Sequence, residues 1–268
     1  MSSLPGFIAI ALYLVCTMGL ILRLQDKPLA TDKPILLLLL PGFAAQVFHW
    51  IALYTSLISE QGLQLGFFNA ASTIGAIITL IILLMSIKRQ TEVLAVLVLP
   101  ITAVALALEL TLPNYYFIPA QTPAGIQIHI LVSIVAYSLL GMAALMSLIL
   151  ALQNRQLHKH HPGGLLHHLP PLQTMEKLLF DSITAGFIGL SLALISGFAF
   201  LQDIFAQHMV HKTVLSLIAW CVFGILLAGR IFMGWRGRTA IRWTLSGFAS
   251  LMLAYFGSKF VLEFLISA

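Results

Sequence analysis

Two histidines, His49 and His129, lie inside long apolar stretches of a 268-residue chain that is 60% hydrophobic. A polar side chain in hydrocarbon is costly, so each needs a partner or a task. Neutral imidazole can take part in a proton chain or offer a lone pair to a metal, and two imidazoles can hold a haem iron from opposite sides. The residue types leave both options open, a structural or proton-linked role and axial ligation. Glu109 raises the same question, because a carboxylate at that depth needs a cation, a hydrogen-bond donor or a proton. Lys212, flanked by His208 and His211, is a candidate cation for Glu109 or for a haem propionate, and a merely solvated cluster would look the same. Trp50, Tyr115, Tyr116 and Phe117 are amphipathic or apolar rings. They suit either an interfacial belt or an apolar wall beside a flat ligand. Trp50 directly follows His49, and successive helical residues do not share a face.

These groups are positioned by membrane-spanning helices. A hydrocarbon core of roughly 30 Å takes roughly 20 apolar helical residues. Eight segments qualify, near 4–22, 34–58, 65–87, 92–112, 125–152, 178–201, 213–233 and 243–265. The first has no basic stretch before it and is followed by Arg23 and Lys27, which marks it as a retained anchor. Runs such as Ile74–Ile87 do not alternate in polarity, as the strands of a barrel would. The expected fold is therefore an all-α integral membrane protein, one transmembrane domain over residues 1–268.

The cations give a direction. Arg23, Lys27, Lys33, Lys88, Arg89, Arg155, Lys159, Lys177, Arg230, Arg236, Arg238 and Arg242 fall on one side of the predicted layout, and Lys212 and Lys259 on the other. Positive charge concentrates in the cytoplasm, which predicts both termini on the periplasmic side. His49 is then past the midpoint of the second span, and His129 is about one turn inside the fifth, both in the outer half. The net charge of +5 is a topology signal. No continuous basic surface is present for a nucleic acid.

The remaining motifs carry less. Cys16 and Cys221 both sit within spans and form no C-x-x-C, so they read as small apolar residues. The tract His158–His168 holds five of its eleven positions as histidine. Pro162, Gly163 and Gly164 interrupt it, and a flexible polar loop accounts for it better than a metal site. The segment G-W-R-G-R (Gly234–Arg238) suits a tight basic turn against anionic lipids at the cytoplasmic face. Small residues of the third span, Gly66, Ala70, Ala71, Gly75 and Ala76, suit close helix packing. A transporter is disfavoured by the scarcity of intramembrane charge and the lack of a visible inverted repeat.

Several segments together resemble the cytochrome c assembly superfamily of bacterial membrane proteins, which includes the CcsA-type haem exporters and the HemX-like proteins. They are L-P-N-Y-Y (Leu112–Tyr116), T-P-A-G-I-Q-I-H (Thr122–His129), H-K-T-V-L-S-L-I-A-W (His211–Trp220), G-W-R-G-R and A-Y-F-G-S (Ala254–Ser258). The resemblance covers nearly the whole chain and is strongest over Phe67–Phe260, which gives an assembly-like region of about residues 67–265. It implies a multi-pass protein of the bacterial inner membrane that handles haem, with haem b as the cofactor. It also implies His49 and His129 as the axial ligands and Lys212 at the position of a family lysine. The pocket would draw on Glu109, His208, His211, Trp50, Tyr115 and Tyr116. The family's tryptophan-rich W-G-x-x-W-x-W-D motif is absent here, where the chain reads L-Q-D-I-F-A-Q-H-M-V-H (Leu201–His211). That departure implies an accessory role in cytochrome c assembly or haem homeostasis, without synthetase activity of its own. The alternative is a haem-free scaffold or regulatory subunit for a second inner-membrane protein, since a fold does not fix a function.

Overall fold

A computed structural model of the chain describes residues 3–27, 30, 32–59, 62–88, 91–112, 117–158, 169–200 and 207–257. Eight α-helices follow in order: α1 (Leu4–Leu24), α2 (Ile35–Leu57), α3 (Phe67–Lys88), α4 (Glu92–Thr111), α5 (Ala124–His158), α6 (Leu172–Phe200), α7 (Gln207–Met233) and α8 (Gly237–Met252). The last continues as a π-helical turn, Leu253–Gly257. Seven of them have the length and apolar composition to cross a membrane: α1–α4, α5 over Ala124–Arg155, α6, and α7 over Val210–Met233. The eighth predicted span is described only as far as Gly257. The predicted connector after the fifth span is shorter than expected, because α5 runs on to His158 and α6 begins at Leu172.

The helices gather into two compact units. The first lies within residues 1–120 and the second within 121–161 and 171–268. In the first, α1 packs on α2 and α4, and α3 packs on the same two, closing a ring of four helices. Local chemistry sets the helix ends. Asp26 takes a left-handed conformation at φ 53. The Asp26 amide donates to the Arg23 carbonyl and the Lys27 amide to that of Leu22, both at 3.0 Å. This is the crossed pattern that satisfies the last carbonyls of a helix. The Arg23 guanidinium then ties the following turn down through the Lys33 carbonyl at 2.6 Å. It also lies 3.5 Å from Glu92 at the start of α4. The basic ends of α1 and α3 and the acidic start of α4 thus share one end of this unit.

The opposite end holds a feature outside the all-α expectation. Strands β1 (Ile58–Ser59), β2 (Gly62–Gln64) and β3 (Phe117–Pro119) form a small antiparallel sheet in the order β1-β2-β3. Its register pairs Ile58 with Leu63 and Leu63 with Ile118. The main-chain polar groups of the two connectors satisfy each other in this way.

The second unit repeats the ring. Helix α5 packs on α6 and α8, and α7 packs on the same two. The α5–α6 seam is close because small residues line it. A Cβ added at Gly186 would lie 2.6 Å from Leu140 Cγ, and one at Gly189 would lie 3.0 Å from Ala136 Cβ. Phe187 stacks on Trp220, whose indole N–H donates to Ser191 at 2.9 Å. Phe187, one turn before Ser191 on α6, also meets Gly224, one turn after Trp220 on α7, so α6 and α7 run antiparallel. The expected G-W-R-G-R turn is present. Gly234 and Gly237 adopt φ of +66 and +52, conformations that favour glycine. The Glu176 carboxylate accepts the Gly237 amide at 2.9 Å, capping the start of α8.

Candidate functional site

The first unit contains a buried chain of polar side chains drawn from all four helices. His49 on α2 has 0% exposure. Its Nδ1 lies 3.0 Å from the Tyr13 hydroxyl of α1, and its Nε2 lies 2.9 Å from the Ser72 hydroxyl of α3. Ser72 also lies against the carboxyl group of Glu109 on α4. The Ser56 hydroxyl donates to Glu109 Oε1 at 2.6 Å. Glu109 Oε2 is buried and has no hydrogen-bond partner among the described residues. Close packing makes this chain possible. The Thr79 and Thr102 hydroxyls bond at 2.7 Å, and the Gln46 amide reaches the Ala76 carbonyl at 3.0 Å. Such bonds between membrane helices each contribute about 0.6 kcal/mol.

This geometry bears on two sequence expectations. Within the first unit Glu109 has a donor in Ser56, a residue that sequence reasoning did not single out, while the candidate cation Lys212 belongs to the second unit. His49 is engaged at both ring nitrogens, so the single lone pair of its neutral ring already accepts a hydrogen bond. Ligation would require Tyr13 or Ser72 to let go. Trp50 leaves the histidine altogether. It is 38% exposed and lines an apolar groove of about 590 Å³ with Phe43, Val47, Ile51, Tyr54 and Leu80. The angular offset of adjacent helical residues separates the two rings.

His129, in the second unit, is presented differently. It lies in the second turn of α5, with its ring turned onto α6. Nδ1 lies 2.9 Å from the Ala193 carbonyl and 3.1 Å from the Ser196 hydroxyl. Ser196 itself donates to the Ala193 carbonyl at 3.0 Å, so its oxygen is free to accept. A carbonyl can only accept. Nδ1 therefore carries the proton, and the lone pair of the neutral ring is on Nε2. This is the arrangement that second-shell partners impose on metal-bound histidines. The small side chain of Ala193 and the glycine-lined seam below it let the ring reach the main chain. No motif in the sequence marked Ala193 or Ser196, because a main-chain acceptor carries no residue signature.

Lys212 lies in the second turn of α7 and is half-buried, while His211 is exposed. Trp220 faces Ser191, close to the level of Ala193, and Lys212 is two turns, ~12 Å, further toward the end of the bundle where α5 begins. Tyr115 and Tyr116, the side chain of His208, the tract from Lys159 to His168, and Lys259 lie outside the described residues. Phe117 falls in β3 and is exposed. Among the described residues, no group of three or more His, Cys, Asp or Glu side chains is placed to hold a metal ion.

Comparison with known proteins places this architecture in one family. The cytochrome c assembly protein family matches residues 37–266, and the chain belongs to that family. The inner membrane protein YpjD of Escherichia coli K12 is 32% identical over 219 residues, covering 81% of this chain and 83% of YpjD. An uncharacterized 28.8 kDa protein of Azospirillum brasilense is 33% identical over 206 residues, covering 72% and 73%. The cytochrome c biogenesis protein CcsA of Prochlorococcus marinus NATL2A is 28% identical over 112 residues, covering 39% of this chain and 36% of CcsA. No solved structure matches the chain. The apolar helices and the YpjD likeness together make it a multi-pass inner-membrane protein.

Proposed function

We propose that this protein handles haem within cytochrome c assembly, as an accessory protein, with His129 Nε2 as the ligand to the iron. The observation that carries this reading is the Ala193 carbonyl at His129 Nδ1, which puts the lone pair of the neutral ring on Nε2, where no described residue bonds it. A histidine buried for structure alone would gain from filling both nitrogens, as His49 does. Family membership and the CcsA likeness supply the cofactor class. Haem would bring a redox-active iron, and this chain would bind it, orient it and exclude water from it. We assign Lys212 to a propionate, because a half-buried cation near the end of the same bundle suits an anionic edge. The exposed His211 would border that mouth. His49 is not given the role of iron ligand.

The test is an optical spectrum of the detergent-purified protein with and without added haem b. A Soret band that changes in His129→Ala and persists in His49→Ala supports the reading. Folded protein that takes up no haem, or a His129→Ala spectrum identical to wild type, overturns it. Stoichiometric co-purification of a second membrane protein without haem would favour a scaffold.

A further inference from the structure

We propose that the first unit holds an exchangeable proton shared between His49 and Glu109 through the hydroxyl of Ser72. The inference stands apart from haem binding, since none of its residues is assigned to the iron. It begins with Oε2 of Glu109, a buried carboxylate oxygen without a hydrogen-bond partner among the described residues, on a side chain that is 6% exposed. The other oxygen is held by Ser56 at 2.6 Å, so the carboxyl group cannot turn freely. Ser72 is hydrogen-bonded to His49 Nε2 at 2.9 Å and lies beside the Glu109 carboxyl group. Tyr13 closes the far side at Nδ1.

The chain can be drawn with every hydrogen placed in either state. With the proton on the ring, Nδ1–H donates to Tyr13 Oη, Nε2–H donates to Ser72 Oγ, and the Ser72 hydroxyl donates to the Glu109 carboxylate. In the exchange, Nε2 gives its proton to Ser72 Oγ while Ser72 gives its own to Glu109. The result is a neutral imidazole and a neutral carboxylic acid. Nδ1–H still donates to Tyr13, Ser72 now donates to Nε2, and the Glu109 acid donates to Ser72. No atom is created or lost, and the total charge of the pair is zero in both forms. A hydrogen-bonded hydroxyl between two titratable groups is the element that such a transfer requires.

Among the described residues of this unit, the other titratable groups stand apart from the pair or are already bonded. The other titratable groups on the packed helices are Tyr13, Cys16 and Arg23 on α1, Tyr54 on α2, Lys88 on α3 and Glu92 on α4. Cys16 donates to the Leu38 carbonyl. Tyr54 is exposed. Arg23, Glu92 and Lys88 lie at the opposite end of the unit, where Arg23 meets Glu92. The described part of the sheet adds no titratable side chain.

Infrared difference spectroscopy of the full-length protein in detergent tests the proposal. Wild type should show the carbonyl band of a protonated carboxylic acid that disappears as pH rises and is missing in Glu109→Gln. Ser72→Ala should move the midpoint of that transition by about one pH unit, a tenfold change in proton affinity. Ser72→Thr, which keeps the hydroxyl, should restore it. If Ser72→Ala fails to fold, His49→Gln provides the same comparison from the other end. A wild-type spectrum without a Glu109-dependent acid band overturns the proposal. So does a midpoint that neither Ser72→Ala nor His49→Gln moves.

Discussion

The imidazole of His129 and the main-chain carbonyl of Ala193 meet at 2.9 Å, across the seam between α5 and α6. A main-chain acceptor cannot be removed by substitution at its own position, so this contact should outlast changes in its neighbours. Ser196→Ala deletes the secondary acceptor at 3.1 Å and leaves the carbonyl in place. We expect haem still to bind, with affinity reduced by about 10-fold, the low end of second-shell effects. Absorbance titration with haem measures it. A loss as complete as that of His129→Ala would mean that Ser196, and not the carbonyl, fixes the ring.

The same seam should resist enlargement. A side chain at Gly186 would begin 2.6 Å from Leu140 Cγ. Gly186→Leu should therefore destabilise the protein by about 1–3 kcal/mol, the usual cost of overpacking. Thermal unfolding in detergent should show a clear drop in Tm, and haem uptake should fall with it, because α6 carries the Ala193 carbonyl. An unchanged Tm would show that α5 and α6 can part at no cost.

Tyr13 and His49 should be energetically coupled. Tyr13→Phe strips the hydroxyl from a fully buried ring nitrogen and should cost about 1–3 kcal/mol. In a His49→Phe background the same change removes nothing that is still bonded, and its cost should shrink toward zero. A double-mutant cycle read by thermal unfolding measures the difference. Equal costs in both backgrounds would mean that the 3.0 Å contact contributes nothing.

Charge distribution predicts both termini in the periplasm. A C-terminal alkaline phosphatase fusion should be active, and a C-terminal green fluorescent protein fusion should be dark. The reverse pattern would put the C-terminus in the cytoplasm, with either a span miscounted or the whole layout inverted.

The spans were legible in the sequence because hydrocarbon thickness sets a length that apolar runs must meet, and α1 to α7 follow the predicted segments within a few residues at most ends. The direction in which each polar group points was not. A helix such as α2, with apolar residues on every side, gives no periodicity from which to read a buried face. Nothing in the sequence said that His49 turns to Tyr13 and Ser72 while Trp50 turns away. Glu109 was recognised as needing a partner, and the sequence suggested a cation. A serine from a different helix fills the role because hydroxyls are small enough to be buried without comment. The sheet escaped notice for a related reason. Strands of two and three residues, the third more than fifty positions after the second, leave no pattern that a local window can detect. The G-W-R-G-R turn, by contrast, was fully readable, because positive φ calls for glycine and glycine was there.

Gly62 has a consequence for how this chain can vary. Its φ of +127 is a conformation that side-chain-bearing residues rarely adopt. An added Cβ would also fall on the Ile118 carbonyl oxygen and 2.8 Å from the Ala120 amide. Two independent penalties therefore act at one codon, and neither can be relieved by repacking a side chain, since both arise from backbone. In a saturation library, the first strand-bearing connector should show a single position almost without tolerated alleles, set among neighbours that accept many.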